Sequence, residues 1–421
     1  MSTRSTLIPS FAIFRHKAYL HYWVMRQLNS GARQMQAVAM GWQVYELARL
    51  NHGVKQSALF LGFIGLAQFL PVLLLSLIGG QAADRFDRKL ILILTNIARF
   101  LCAFALIGSV FLPINSALTL LFSVAVVLGI IYAFAPAASS SLYPTLVPRR
   151  EIQDAIAWNS LGYQVSAIGG PAIGGLVYIF GAQYVYLIAA GMGMVGTMAI
   201  LSAPTPKHKP VIGAHGLSMI IEGLKYIKGN KVVLGAISLD LVVVFFGGVT
   251  ALLPIFAKDV LHVGALELGL MRTAPAIGAF IVAFILAARP LTRNIGRYLL
   301  ISIFIYGLSM LGFAISKVLI LSTIALAITG AADMISVYIR QSLIQLSTPD
   351  NMRGRVTSVD FIFIGASNEL GEFESGIAAR FLGPVGAVIL GGCVAITAAL
   401  VWPKIFPEVA NADTIKLIDD E

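Results

Sequence analysis

Pro204-Thr205-Pro206-Lys207-His208-Lys209-Pro210 is the longest polar break in this chain. Three prolines in so short a stretch cannot continue a helix. The segment that follows, Leu217-Ser-Met-Ile-Ile-Glu222-Gly-Leu-Lys-Tyr226-Ile-Lys228, sets Leu217, Ile220, Ile221, Leu224 and Ile227 at helical spacing opposite Glu222, Lys225 and Lys228. That pattern describes an amphipathic helix lying on the inner face of a membrane. Residues 204–231 therefore read as a linker joining two larger parts, 1–203 and 232–421.

On either side the chain is overwhelmingly apolar. Of its 421 residues 58% are hydrophobic and 12% charged, about half the charge of a soluble globular protein. An ordinary cytosolic enzyme is excluded. A membrane span needs roughly 20 apolar residues. Breaking the apolar runs at Pro, Gly and charge clusters gives six spans before the linker, near 20–47, 57–82, 90–112, 117–141, 155–180 and 184–203. Six more follow it, near 232–257, 267–288, 298–316, 318–342, 356–381 and 384–403. Arg15 and Lys17 precede the first run, but that run carries Arg26 and Arg33 and lacks a cleavage region, so it reads as a retained span.

The net charge of +10 follows the same division. With the N-terminus inside, the cytoplasmic segments hold twenty Lys and Arg, among them Arg4, Arg15, Lys17, Lys207, Lys209 and Lys416, and the opposite side holds Arg49, Lys55, Lys258 and Lys317. This is the positive-inside distribution of twelve spans with both termini cytoplasmic. The basic balance reflects topology and anionic lipid, not nucleic acid. Trp23, Trp42, Tyr45 and Trp402 lie near span ends and read as an interfacial aromatic belt.

Cys102 and Cys393 lie in apolar segments at opposite ends of the sequence, and His16, His21, His52, His208, His215 and His262 fall in loops or at span ends. No disulfide framework, metal site or cofactor is expected. No phosphate-binding Gly-x-x-x-x-Gly-Lys-Ser/Thr loop occurs, so an ion gradient or the substrate's own gradient must drive the protein. Twelve spans split by a cytoplasmic linker describe an all-α polytopic transporter of two six-helix halves, with its substrate site near the midplane.

After the second span comes Gly80-Gln-Ala-Ala-Asp84-Arg85-Phe-Asp87-Arg88-Lys89. It resembles the major facilitator superfamily signature Gly-x-x-x-Asp-Arg-x-Gly-Arg-Lys, matching at Gly80, Asp84, Arg85, Arg88 and Lys89 and departing at Asp87. The resemblance implies a gating loop. Gly80 would permit close helix approach, Asp84 would face the N-terminus of a neighbouring helix, and the basic residues would pair with carboxylates. It further implies a partner at the start of span eleven, Arg353-Gly-Arg355-Val-Thr-Ser-Val-Asp360. The bare alternative is a positive-inside anchor.

Span five contains Gly170-Pro171-Ala-Ile-Gly174-Gly175, similar to the helix-five motif of exporters that work as antiporters; Ala157 and Ser166 stand where that motif usually has Gly. Pro171 would kink the helix and the small residues allow a pivot, or simply tight packing. Pro136-Ala-Ala-Ser-Ser-Ser-Leu-Tyr-Pro144-Thr-Leu-Val-Pro148, Trp158-Asn159-Ser160 and Glu222-Gly-Leu-Lys-Tyr226 resemble the branch that includes enterobactin exporters and related efflux proteins.

Charges within spans are costly, about 2.5–3.5 kcal/mol each at a helix centre, so they should face a cavity or a partner. In span one Arg26, Asn29, Arg33 and Gln36 share one helical face. Two guanidiniums there suit carboxylate or phenolate oxygens, or else pair with acids on other helices. Span eleven carries Glu369, Glu372 and Glu374, with Glu369 and Glu372 on one face; Asp240 and Asp333 lie in spans seven and ten. Three uncompensated carboxylates in one span are unfavourable, so at least one is expected to trade protons, unless Arg33, Arg99 or another intramembrane Arg neutralises them.

Together with these residues, the resemblance implies a monomeric, proton-coupled secondary transporter of the bacterial inner membrane, exporting a siderophore or similar amphiphilic anionic small molecule by alternating access. A multidrug pump and an importer of a ferric chelator are the rivals within transport. A polytopic membrane enzyme is the rival outside it, though no clustered nucleophile and base is visible.

Overall fold

A computed structural model of the chain describes residues 10–206, 216–291 and 293–412. Arg4, Lys207, His208, Lys209, Pro210, His215, Lys416 and the side chain of Leu217 lie outside the described residues. Among those residues the chain is helical, with no β-strand. The helices are α1 (Lys17–Asn51), α2 (Val54–Arg85), α3 (Arg88–Ser109), α4 (Ile114–Leu142), α5 (Ile152–Tyr178), α6 (Ala182–Ser202), α7 (Gly216–Gly229), α8 (Lys231–Phe246), α9 (Val249–Ile255), α10 (Ala265–Ala288), α11 (Ile295–Ile315), α12 (Leu319–Leu346), α13 (Asp350–Ile405) and α14 (Pro407–Ala410).

Nine helical stretches among the described residues are long and apolar enough to cross a membrane. Helices α1 and α5 are absent from that set, and α1 carries the polar face read above. The longest stretch includes α13, which breaks at Gly383, where φ is 81° and ψ 163°. Glycine tolerates that positive φ and Pro384 cannot continue the preceding helix. Outward side chains are apolar, with Val165 72% and Phe284 68% exposed, as in a protein solvated by lipid.

The described residues form two compact units, one within Met1–Met40 and Leu70–Ala214, the other within Gly41–Phe69 and His215–Glu421. Within the second, the end of α1 is tied to Phe256–Val260, a π-helical turn that continues α9, by Arg49–Asp259 at 3.1 Å and Lys258–Glu46 at 3.2 Å. Trp42 and Tyr45, expected at the interface, are buried there instead, because Lys258 lies 5.9 Å over the Trp42 ring and Tyr45 donates to Asp259.

The seventh expected span is not continuous. It stops at Phe246 and resumes at Val249, and a Cβ on Gly248 would stand 2.2 Å from the Gly371 carbonyl of α13. The glycines let α13 approach at the cost of the helix. The linker helix α7 also departs from expectation. Ile220 and Ile227 pack with Ile344, Val356 and Val359, and Glu222 reaches Arg355 at 2.7 Å. Protein rather than lipid covers that side, and Ile221 and Leu224 remain exposed.

The two units repeat one register of buried positions. On α4 and α12, Leu121, Leu128, Ser139 and Leu142 are buried, as are Ser322, Thr329, Arg340 and Leu343 in the same order. Asn159 and Ser166 of α5 match Asp360 and Ser367 of α13, and Met25-Arg26 of α1 match Leu239-Asp240 of α8. On α3 and α11, Arg99 matches Tyr306, flanked by buried Thr95 and Ala103 against Ser302 and Met310.

Candidate functional site

In the first unit the polar face of α1 meets α3 and α4. Arg26 donates to the Ser139 hydroxyl at 3.2 Å and to the Tyr22 hydroxyl at 3.4 Å, while Tyr22 and Ser139 are 2.6 Å apart. Asn29 donates to the Asn96 side chain at 2.8 Å. About 10 Å further along the helix, Arg33 lies 4.3 Å over the Tyr132 ring, and Arg99 lies 5.3 Å from the same ring. Gln36 is buried, with its amide nitrogen unpartnered.

Two guanidiniums on one ring repel each other and are held by the ring's quadrupole, each contact contributing about 0.5–2 kcal/mol. Acids of the first unit's sequence lie away from the middle of its spans. Its sequence holds four acidic residues, Asp84, Asp87, Glu151 and Asp154, all at helix ends. Arg99 is 8% exposed and its Nε has no partner. Tyr132 was not singled out from sequence, and Arg99 only as a possible counter-charge; the available signal was a lone polar residue in each of two apolar spans.

The second unit has the opposite sign. Arg340 of α12, 2% exposed, reaches Asp360 of α13 at 2.5 Å and Asp240 of α8 at 3.4 Å, and Gln341 donates to Asp360 at 2.9 Å. Asp333 lies two turns before Arg340 on α12, within electrostatic reach of Asp240 and Tyr306. Arg340 was missed in the sequence. It binds Asp360, which the sequence reading had placed in the segment facing Asp84. Glu369 and Glu372 sit further along α13, with Glu372 against α2, where a Cβ on Gly65 would stand 3.4 Å from its Oε2. Tight glycine contacts fix that part of α13. A Cβ on Gly376 would stand 2.7 Å from Gly62 of α2, and one on Gly371 2.6 Å from the Val244 carbonyl of α8.

The loop between α2 and α3 differs from expectation in three ways. Asp87 is the N-cap of α3 and accepts from the Lys89 amide at 2.8 Å, so its departure from glycine serves the helix start. Arg88 and Lys89 bind carbonyls rather than carboxylates. Arg88 reaches Ser141 at the end of α4 at 2.9 Å, and Lys89 reaches Leu201 and Ala203 at 2.9 and 2.8 Å. Cations suit helix C-termini because the last carbonyls lack partners. The close approach lies at Gly79, where a Cβ would be 2.2 Å from the Ala133 carbonyl, while one on Gly80 meets nothing within 4 Å. Asp84 is half-buried and Arg85 exposed.

The glycines of α5 seat α1. A Cβ on Gly170 would fall 2.5 Å from the Gln34 Cβ and one on Gly174 2.9 Å from the Met35 Cα. Pro171 and Gly175 are buried beside them. The described residues hold no group of three His, Cys, Asp or Glu able to bind a metal ion.

Residues 8–418 match the family model described as transmembrane secretion effector. The chain is 25% identical to the enterobactin exporter EntS of Shigella dysenteriae serotype 1 (strain Sd197) over 393 residues, 92% of this chain and 90% of that protein. Identity to the EntS of Citrobacter koseri (strain ATCC BAA-895 / CDC 4225-83 / SGSC4696) is 25% over 405 residues, 93% and 94% of the two chains. Among solved structures, the fold is similar to the POT family transporter PepTSo at a TM-score of 0.72, with 12% identity and 93% and 98% of the chains covered. A D-xylose-proton symporter gives 0.70, with 13% identity and 94% and 99% covered.

Proposed function

This chain belongs to the transmembrane secretion effector family of major facilitator transporters, and from that premise we propose that it exports an enterobactin-like siderophore or a similar amphiphilic anion in exchange for protons. It is a multi-pass membrane transporter and not an enzyme. In the proposed cycle it works as a monomer in the bacterial inner membrane, with twelve spans, both termini cytoplasmic and a linker at 204–231 joining the halves 1–203 and 232–421. Alternating access carries the substrate across.

The reading is carried by Arg33 and Arg99 sharing the Tyr132 ring in a unit with no acid in the middle of a span. A phenolate or carboxylate oxygen fits those guanidiniums, and an aromatic ring fits beside Tyr132. Asn29 and Gln36 border that site. Protons are carried in the acid-rich second unit, by Glu369, Glu372, Asp240 or Asp333, and the Asp84 loop with Gly80, Arg85, Arg88 and Lys89 gates one side. The helix-five motif keeps α1 close to α5 throughout.

The test is mass spectrometry of medium and cells from deletion and complemented strains grown without iron. The reading expects a chelator to accumulate inside the deletion strain and fall outside. Unchanged chelator overturns that substrate in favour of a multidrug pump, and lost uptake with unchanged secretion favours an importer of a ferric chelator.

A further inference from the structure

At the level of Arg26 the two units share a register but differ in charge. In the second unit the three matching positions are Asp240, Arg340 and Asp360, and they neutralise one another. In the first unit the same positions are Arg26, Ser139 and Asn159. The guanidinium has moved from α4's position to α1's, and both carboxylates are gone. Arg26 donates instead to two hydroxyls, those of Tyr22 and Ser139.

A second observation lies at the same level. Asn159 is 6% exposed, and both its amide oxygen and its amide nitrogen lack partners. Orphaning a buried amide costs about 1–3 kcal/mol, and most buried polar side chains in proteins are satisfied. In the second unit the residue at that register is held at both carboxylate oxygens, by Arg340 and Gln341. The first unit therefore holds a cation, two hydroxyls and an unsatisfied amide where its counterpart holds a closed ion-pair set.

We propose that Arg26, Ser139 and Asn159 form a second oxyanion subsite, about two helical turns from the Arg33–Tyr132–Arg99 site and nearer the Lys17 end of α1. It takes a carboxylate or phenolate group, so that an anionic substrate is received there before it reaches the deeper guanidiniums. The inference rests on the anion-export reading above, and it adds a subsite that the reading does not need.

The test is equilibrium binding of salicylate to the full-length protein in detergent, with neutral salicylamide as the comparison. Asn159→Asp is the decisive variant, because it restores the carboxylate that the second unit carries and gives Arg26 an internal partner. Arg26→Gln is the second variant, and both must keep the wild-type elution profile. The proposal expects each to weaken salicylate binding about tenfold or more, the scale of one charge-assisted hydrogen bond, and to leave salicylamide binding unchanged. If Arg33→Gln and Arg99→Gln weaken salicylate binding while Asn159→Asp and Arg26→Gln do not, the second subsite is overturned and the deeper site stands. If wild type binds salicylate no better than salicylamide, the anion reading and this proposal fall together.

Discussion

Ser139 of α4 and Arg340 of α12 hold the same register in the two units, and each is bonded to the residue brought to its level from the first helix of its unit: Arg26 for Ser139 and Asp240 for Arg340. One fold thus carries a cation facing hydroxyls in one half and a guanidinium facing carboxylates in the other. This difference in sign is repeated one level deeper, where Arg99 corresponds to Tyr306 and Tyr132 to Asp333.

Arg340 holds two buried carboxylates, so removing it leaves charges with no partner. Such truncation typically costs about 3–5 kcal/mol. Arg340→Met is expected to lower the thermal midpoint of the purified protein sharply. Arg340→Met combined with Asp240→Leu and Asp360→Leu should recover most of that loss, since an apolar replacement of a whole buried set is often neutral. A single variant as stable as wild type would show that Arg340 is dispensable.

At the α2–α4 contact, Gly79→Ala places a methyl against the Ala133 carbonyl and is expected to cost about 1–3 kcal/mol. Gly80→Ala meets open space and should leave stability within about 0.5 kcal/mol. Thermal unfolding of the two proteins side by side checks the order, and equal effects would contradict the close approach at Gly79.

Asp87 caps α3. Glycine also serves at that position, which is why Asp87→Gly should cost only a few tenths of a kcal/mol while Asp87→Ala costs about 1 kcal/mol. The same unfolding measurement separates them. An Asp87→Gly protein that loses more stability than Asp87→Ala would rule out the cap as the reason for the aspartate.

His16 donates to Glu151 or is paired with it at 2.8 Å, and Arg15 stands 3.1 Å from the same carboxylate. The contact with His16 first, then that with Arg15, holds the Glu151 carboxyl below its usual range. A depressed carboxyl stabilises above its unfolded value and loses that contribution as pH falls through its folded value. Trp158, whose ring packs 4.6 Å from Phe11 and donates to the Ser10 carbonyl, reports the contact. Its fluorescence should hold steady through the ordinary carboxylate range and change only at more acid pH. Glu151→Gln should remove that acid transition, and a transition that persists in the variant would assign it elsewhere.

Much of the helical layout was legible because hydropathy is local: Val54–Arg85 and Ala182–Ser202 stand within a few residues of where apolar runs and their flanking charges put them. The α1 face was legible for the same reason, since Arg26, Asn29, Arg33 and Gln36 follow one period. Their partners were not. Tyr132, Ser139 and Arg340 each reach a residue on another helix, and which helices adjoin depends on packing that no single segment encodes. Asp360 shows the limit most plainly: its segment matched a motif, but its side chain is taken by Arg340 and Gln341. The break at Gly247-Gly248 also depended on a neighbour, the Gly371 carbonyl.

Exchange of an anion at Arg33–Tyr132–Arg99 for protons is tested most directly in proteoliposomes containing the full-length protein. Enterobactin movement would be followed under an imposed pH gradient, for wild type and for Arg99→Gln. Gradient-driven accumulation by wild type that falls at least tenfold in Arg99→Gln, the loss expected for one charged hydrogen-bonding partner, is the result this mechanism requires. Accumulation that ignores the gradient, or that survives intact in Arg99→Gln, would contradict it.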